Sequence, residues 1–249
     1  MRILKYGMIA ASLLLSLPAA AEDFKFGTFN YPPYEFEQDG KATGIITDLV
    51  TEGMKRMGHT VKIELYPFSR LIDNAKSGEI DGMFSVFRTP EREVFLDFGH
   101  EVAMPQVVSL FVPADSKLAF DGDLTKLANN SIGVVNKVSY GKTFDAAATD
   151  GTLKKLEGVN DIDVNMNKLL NGRLDAVANN KLGAIYLLNK LGGKDKVREL
   201  TPPLDSVPSY VAFTKAKDMS ALRDGLDAQF KAMRADGTFD KIVKSYVGN

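Results

Sequence analysis

The sequence predicts an α/β fold of two lobes, each a parallel or mixed sheet flanked by helices, with a ligand cleft between them. Three observations carry this. Strand-like and helix-like segments alternate along the chain, which implies parallel βαβ units. The alternation runs through one set of segments and then restarts in the second half. No low-complexity or flexible linker separates the two sets, so they face each other directly, and such clefts are preferred ligand sites.

Residues 24–29 alternate as a strand, and Tyr31-Pro32-Pro33-Tyr34 leaves regular structure because proline restricts its own backbone and its neighbour's. Asp39-Gly40 marks a turn. Ile46, Leu49, Val50, Met54 and Met57 recur at helical spacing, with Gly58 as the stop. Val61, Ile63 and Leu65 form the next strand, residues 71–76 a helix ending at Ser77-Gly78, and 80–84 a third strand. The second set opens with strands at 107–112 and 132–135, followed by a polar loop and a helix from about Ser139. A short buried strand at 174–178 leads into a helix through Ala184, Leu187, Leu188 and Leu191. After Thr201-Pro202-Pro203, residues 210–213 read as a strand. Two helices close the chain, one on Leu222, Leu226, Phe230 and Met233, the other on Phe239, Ile242, Val243 and Tyr246, with Asp236-Gly237 between them.

The N-terminus indicates the compartment. Arg2 and Lys5 precede a largely apolar stretch, and Ala19-Ala20-Ala21 supplies a small-residue cleavage site. Residues 1–21 therefore read as a cleaved secretory signal peptide, too short in its apolar part for a membrane span, and the expected location is the periplasm. No cysteine stands at the junction to carry a lipid anchor. Removing 21 of the 249 residues leaves 228, enough for two lobes of about 100 residues each. Losing Arg2 and Lys5 takes the formal net charge from −1 to −3, which argues against nucleic acid or an anionic membrane as partner. With no cysteine there is no disulfide, thiol nucleophile or thiolate metal site.

The segment 82–97 carries the chemistry. An apolar run ends in Thr89-Pro90-Glu91-Arg92, so a buried strand delivers an arginine to a turn. Arginine is fixed in charge and planar, and it grips a carboxylate through two parallel hydrogen bonds.

Several segments together resemble the bacterial extracellular solute-binding proteins of family 3, the amino-acid-type receptors of ABC importers. They are 31–36 (Tyr-Pro-Pro-Tyr-Glu-Phe), Asp39-Gly40 with Gly44, and Ser77-Gly78-Glu79-Ile80-Asp81-Gly82. Thr89-Pro90-Glu91-Arg92 with Asp97-Phe98, 171–176 (Asn-Gly-Arg-Leu-Asp-Ala) and 233–238 (Met-Arg-Ala-Asp-Gly-Thr) complete the set. They stand in the family's order and span nearly the whole mature chain. The resemblance implies a two-lobed periplasmic-binding-protein fold, with lobe 1 formed by 22–104 and 209–249 and lobe 2 by 105–208. The chain then crosses the hinge twice, which suits clamshell closure.

The resemblance also places site residues. Arg92 matches the arginine that grips the ligand carboxylate, Ser85 a pocket-lining serine, Tyr31 an aromatic that stacks on the ligand, and Phe68 an apolar wall. Ser139 falls where the family has Thr or Ser at a helix start, and free amides with the helix dipole favour a carboxylate there. A simple helix N-cap is the plainer reading of Ser139. Phe87 stands where amino-acid binders usually carry Ser or Thr. Asn180 stands where they commonly carry the Asp that pairs with the α-ammonium. Lys137 and Val138 also replace small residues, and Arg70 and Arg88 add positive charge near the cleft in sequence. The expectation is a divergent branch whose ligand is an acid, with Asp73, Asp161 and Asp163 as the carboxylates on offer if an anion is needed.

The implied partners are a small carboxylate-bearing solute and a membrane permease or sensor, with the protein acting as a monomer and no cofactor or metal implied. Some relatives on this fold are dehydratases of cyclic hydroxy acids, which keeps an enzymatic alternative open. His59 and His100 are the only histidines. His100 is the one candidate general acid, against the plainer reading of a surface histidine at the hinge. No Ser-His-Asp set, H-E-x-x-H, P-loop or G-x-G-x-x-G context is present, so no catalytic residue is assigned. Glu35/Glu37 and Asp161/Asp163 read as solvated loop charges.

Overall fold

The structure is a computed structural model that describes residues 22–136, 138–160 and 162–248. The signal segment expected over 1–21 and the expectations placed on Lys137 and Asp161 lie outside the described residues. The first part of the chain forms β1 (Asp23–Thr28), the hairpin β2 (Phe36–Gln38) and β3 (Lys41–Thr43), α1 (Ile45–Arg56) and β4 (Thr60–Leu65). It continues with α2 (Phe68–Ser77), β5 (Gly82–Phe87), the single turn α3 (Pro90–Glu93) and β6 (Leu96–Phe98). The long strand β7 (Met104–Pro113) leads to β8 (Ile132–Val135), α4 (Lys142–Thr149), β9 (Leu156–Val159), α5 (Ile162–Leu170), β10 (Ala176–Asn180), α6 (Lys181–Lys190) and β11 (Val197–Glu199). A second long strand, β12 (Asp205–Thr214), returns the chain to α7 (Ser220–Ala235) and α8 (Thr238–Val247).

Each half is built on three parallel strands, β4-β1-β5 in one and β9-β8-β10 in the other. The expected pair of sheets is joined through β7 and β12 into one hydrogen-bonded path. β12 pairs antiparallel with β7 over Asp205–Ser209, and with β5 and β6 over its second half. β7 pairs with β12 through its first residues and with β10 and β11 through its last. The two long strands thus lie side by side where the halves meet.

The apolar periodicity read from sequence is the packing face. Ile46, Leu49, Val50 and Met54 of α1 are fully buried against α7 and α8, each such side chain contributing about 1.5–3 kcal/mol. Gly53 permits the close approach, since a Cβ there would fall 2.6 Å from Leu226 Cδ1. The buried residues of two apolar clusters come from 26–104 and 211–247, with Leu182 and Ile185 of α6 packed against one of them, and those of the two others from 110–200. Asp39-Gly40 forms the β2–β3 turn with φ of 52° and 73°, the left-handed pair that two-residue hairpins favour.

Three of the boundaries that differ from the sequence reading bear on the site. α2 begins at Phe68, directly after Pro67, rather than at 71. α4 begins at Lys142 with Gly141 at its N-cap, not near Ser139: Gly141 has φ +101°, which stops the helix from extending backwards. β12 begins at Asp205, five residues before the expected strand. Pro208 conceals its first half, and it is tolerated because it stands opposite Pro105, where neither residue has an amide to donate.

Candidate functional site

A cavity of about 520 Å³ opens where the halves meet, beyond the carboxyl ends of β1, β5, β8 and β10. This is where open α/β sheets place ligands. The first half contributes Phe29 and Tyr31 after β1, Phe68 at the start of α2, Ser85 and Phe87 at the end of β5, and Arg92 in α3. The crossing strands add Gln106 and Val108 from β7 and Asp205 and Val207 from β12. The second half adds Val138, Ser139, Gly141, Lys142 and Asn180.

One wall is aromatic. Tyr34 stacks on Tyr31 at 5.1 Å and Tyr31 on Phe29 at 5.9 Å, while Phe68 meets Phe29 edge-on at 5.5 Å. The Arg92 guanidinium lies over the Phe68 ring, 5.4 Å from its centroid, and donates from Nη1 to the Phe87 carbonyl at 2.9 Å. Thr89 accepts from the Arg92 amide and Pro90 occupies the first position of the turn, so the local sequence sets the arginine's orientation. Partial burial lowers the Arg92 pKa, and neighbouring Glu91 acts against this. The group stays charged. Among the described residues no carboxylate forms an ion pair with it.

Ser85 has φ +60°, a left-handed conformation rare for a residue with a side chain, and donates from Oγ to Glu35 Oε2 at 2.6 Å. Glu35 corrects the sequence reading: it is not a solvated charge but fully buried beneath the cavity floor, with Oε1 left without a partner. The loop Tyr31–Glu35 folds back through Tyr31 N to Glu35 O at 2.6 Å, which turns the carboxyl inward. Burial raises its pKa well above 4.5, partly offset by the Ser85 hydrogen bond. A neutral carboxyl can itself donate in this pair, which frees the Ser85 hydrogen for the cavity.

The sign of the pH effect follows from that raised pKa. The stability contributed by the neutral carboxyl is full below the unfolded value of about 4.5 and is lost as pH rises through the elevated folded value. Glu35→Gln is therefore expected to match the wild type in urea unfolding at acid pH and to exceed it at alkaline pH. Parallel curves at all pH values would show that Glu35 ionises as freely as in the unfolded chain.

Asn180 lies at the end of β10 and caps α6. Its Oδ1 accepts from the Tyr34 hydroxyl at 2.8 Å and from Gly183 N at 3.0 Å, and its Nδ2 donates to Gln106 Oε1 at 3.0 Å. Gln106 Nε2 reaches Ser209 Oγ at 3.3 Å, and Ser209 donates to the Met104 carbonyl at 2.8 Å. This buried chain ties the Tyr31–Glu35 loop to β10 and to both crossing strands. Burial keeps the Tyr34 phenol protonated as its donor.

Ser139 lines the cavity but does not start the helix. Its Oγ bonds the Asp145 carboxylate, which also accepts from Tyr140 N at 2.9 Å. The structure therefore brings Tyr31, Phe68, Ser85, Phe87, Arg92, Ser139 and Asn180 to one cavity and leaves Arg70 and Arg88 off it. Arg70 is exposed, with its guanidinium 5.8 Å from the Tyr66 ring centroid. Arg88 lies over the rings of Phe98 and Tyr210 and donates to the Gly99 carbonyl at 2.8 Å. Among the described residues the second cation at the cavity is Lys142 instead. Asp73 and Asp163 are not among the lining residues, and neither histidine is. His59 packs edge-on against Phe24, and His100 is exposed with Nε2 3.9 Å from Asp224. Sequence reasoning missed Phe29, Gln106, Lys142 and Asp205. Asp205-Ser206-Val207 shows no polar–apolar alternation and has a proline on either side, so the sequence offered no strand signal there.

The chain belongs to the bacterial extracellular solute-binding proteins, family 3, whose profile matches residues 25–249. It is a solute-binding protein of two lobes. A probable histidine-binding protein of Campylobacter jejuni is 29% identical over 231 residues, covering 89% of this chain and 84% of the relative. The L-cystine-binding protein TcyA of Bacillus subtilis is 24% identical over 223 residues, covering 89% and 79%. In architecture the chain is similar to substrate-binding domain 2 of Lactococcus lactis GlnP in its open conformation, with a TM-score of 0.75, 20% identity, and coverage of 91% and 96%.

Proposed function

We propose that this chain captures a small carboxylate-bearing solute, an amino acid or related organic acid, outside the cytoplasm and delivers it to an ABC importer. The observation that carries this is Arg92: a guanidinium seated on Phe68, oriented by the Phe87 carbonyl, lining the cavity and without an acidic partner among the described residues. A ligand carboxylate completes it. The names of relatives that bind histidine and cystine support the same class of solute.

The aromatic wall takes the body of the solute. Phe68 and Phe87 are 41% and 39% exposed, large rings open to solvent at the cavity that closure over a ligand would cover. Lobe 1 is residues 22–104 with 209–249 and lobe 2 is 105–208, a division supported by the separate apolar clusters and by the side-by-side crossing of β7 and β12. Closure then brings Ser139 and Lys142 of lobe 2 towards Arg92. Processing after Ala21 would release the mature chain to the periplasm.

A thermal-shift screen of the mature chain against α-amino acids, dicarboxylates and aromatic acids tests the reading. A carboxylate at a hundred times its Kd is expected to add about 2.7 kcal/mol of apparent stability. Stabilisation by neutral solutes alone, with none by any carboxylate, would overturn it.

A further inference from the structure

We propose that Glu35 is a positioning residue for solute capture: as a buried neutral acid it donates its proton to Ser85, so that the Ser85 hydroxyl donates into the cavity and carboxylate binding depends on that proton being held. The inference rests on the reading of the solute as a carboxylate and adds a group that acts on it from beneath the cavity floor.

Glu35 has no exposed surface. Its Oε2 lies 2.6 Å from Ser85 Oγ, and its Oε1 has no partner. A carboxylate so placed lacks the cation or the several donors that a buried charge requires, so the fold accommodates the neutral acid. A proton on Oε1 would find no acceptor. Its place is therefore Oε2, and the hydrogen bond then runs from the acid to the serine. Ser85 Oγ accepts from below, which leaves its own hydrogen for the cavity it lines. The φ of +60° at Ser85 is a costly conformation of the kind that collects at functional positions.

Ionisation reverses the bond. An anionic Glu35 can only accept, so it withdraws the Ser85 hydrogen from the cavity and sets a negative charge beneath the bound carboxylate. Solute binding and Glu35 ionisation therefore oppose each other, and an entering carboxylate strengthens the hold of Glu35 on its proton. On the same loop, Tyr31 and Tyr34 are phenols that burial keeps protonated. α1, whose first amides bond that loop, carries Asp48, which accepts from the Tyr246 hydroxyl of α8 at 2.6 Å. β10 brings the neutral Asn180, and the charged groups lining the cavity are Arg92, Lys142 and Asp205. Burial favours the proton on Glu35, and the Ser85 hydrogen bond partly offsets this.

Isothermal titration of L-histidine, L-glutamine, benzoate and 3-phenylpropionate into the wild type and Glu35→Gln, from about pH 5.5 to about pH 9.5, tests this. All four carboxylates are ionised throughout. The ratio of the two dissociation constants cancels every titration that the proteins share. A glutamine amide donates to Ser85 at any pH. Glu35→Gln is therefore expected to match the wild type at the acid end. At the alkaline end the wild type is expected to bind roughly 10- to 150-fold more weakly than Glu35→Gln, the range for one charged hydrogen bond. Where the two diverge, the wild type takes up as much as one proton more on binding, read from the dependence of the heat on buffer ionisation enthalpy. Made in a Ser85→Ala background, the Glu35→Gln change is expected to shift the ratio less. Glu35→Met, neutral at every pH, serves if the glutamine variant does not fold. A ratio that stays flat with pH, or a divergence of the same size without the serine hydroxyl, overturns the role of Glu35 and leaves the carboxylate reading standing. A wild type that binds none of the four at any pH removes both.

Discussion

Arg92→Ala is expected to abolish measurable binding of carboxylate solutes while costing the ligand-free protein no more than about 1–2 kcal/mol. The guanidinium is the part of the cavity best prepared for an anion, because the Phe68 face and the Phe87 carbonyl hold it in one orientation before any ligand arrives. Truncating one partner of a desolvated charge pair costs about 2–5 kcal/mol, or roughly 30- to 5,000-fold in Kd. Lysine at this position would not restore the grip, since an ammonium offers no planar fork and stacks poorly on the ring. The side chain makes one solvent-exposed, charge-assisted hydrogen bond to a carbonyl and one partly exposed ring contact of its own, together worth about 1–2 kcal/mol. Titration calorimetry alongside thermal unfolding separates the two effects. A stable variant that binds a carboxylate with unchanged affinity would remove the carboxylate grip from the site.

The largest expected effect on stability lies at Gly44. Its φ is +124°, and an added Cβ would sit 2.5 Å from the Tyr34 carbonyl oxygen and 2.7 Å from Glu35 Cα. Both are backbone atoms and cannot move aside as a side chain tip would. The loop they belong to is pinned to the start of α1 by Ile45 N to Pro33 O and Ile46 N to Tyr34 O, both 2.9 Å. Gly44→Ala is expected to cost about 4 kcal/mol, combining backbone strain with overpacking. That corresponds to a fall in Tm of about 10 °C for a chain of this size. Gly40→Ala is the internal control, with φ of +73° but nothing within 4 Å of its Cβ, and should cost only about 1 kcal/mol. Equal losses at the two positions would show that the packing of the Tyr31–Glu35 loop contributes little.

The consequence of Gly44 reaches the site. The loop it supports carries Tyr31 in the aromatic wall, Tyr34 on Asn180 and Glu35 beneath Ser85. A displaced loop disturbs all three, so residual binding in Gly44→Ala should fall together with stability. Arg92→Ala lowers binding far more than stability.

Much of this was legible in the sequence because it is local. Alternation in 24–29 and 61–65, the helical spacing of Ile46, Leu49, Val50 and Met54, and the Asp39-Gly40 turn each depend on neighbours a few residues away. The same holds for Thr89-Pro90-Glu91-Arg92, where the cap, the proline and the arginine act within one turn. The order of six such segments was enough to identify the family.

Charge state and exposure were not legible, because they depend on partners distant in the chain. Asn180 reads as a weak ammonium acceptor until Tyr34, 146 residues away, is found occupying its oxygen. Glu35 reads as a solvated acid until Ser85 and the folded loop enclose it. Arg70 and Arg88 read as cleft cations, yet aromatic rings hold both elsewhere. Asp205 lay in a stretch that its prolines disguised as a loop, and only the pairing of β12 with β7 brings it to the cavity. The sequence by itself determined the two-lobed α/β architecture, the family and the arginine poised for an acid, since periodicity and turn chemistry are set by adjacent residues. Tertiary structure alone decided which charges reach the cavity and which are spent on the protein's own groups, since desolvation and hydrogen-bond saturation exist only once distant segments meet.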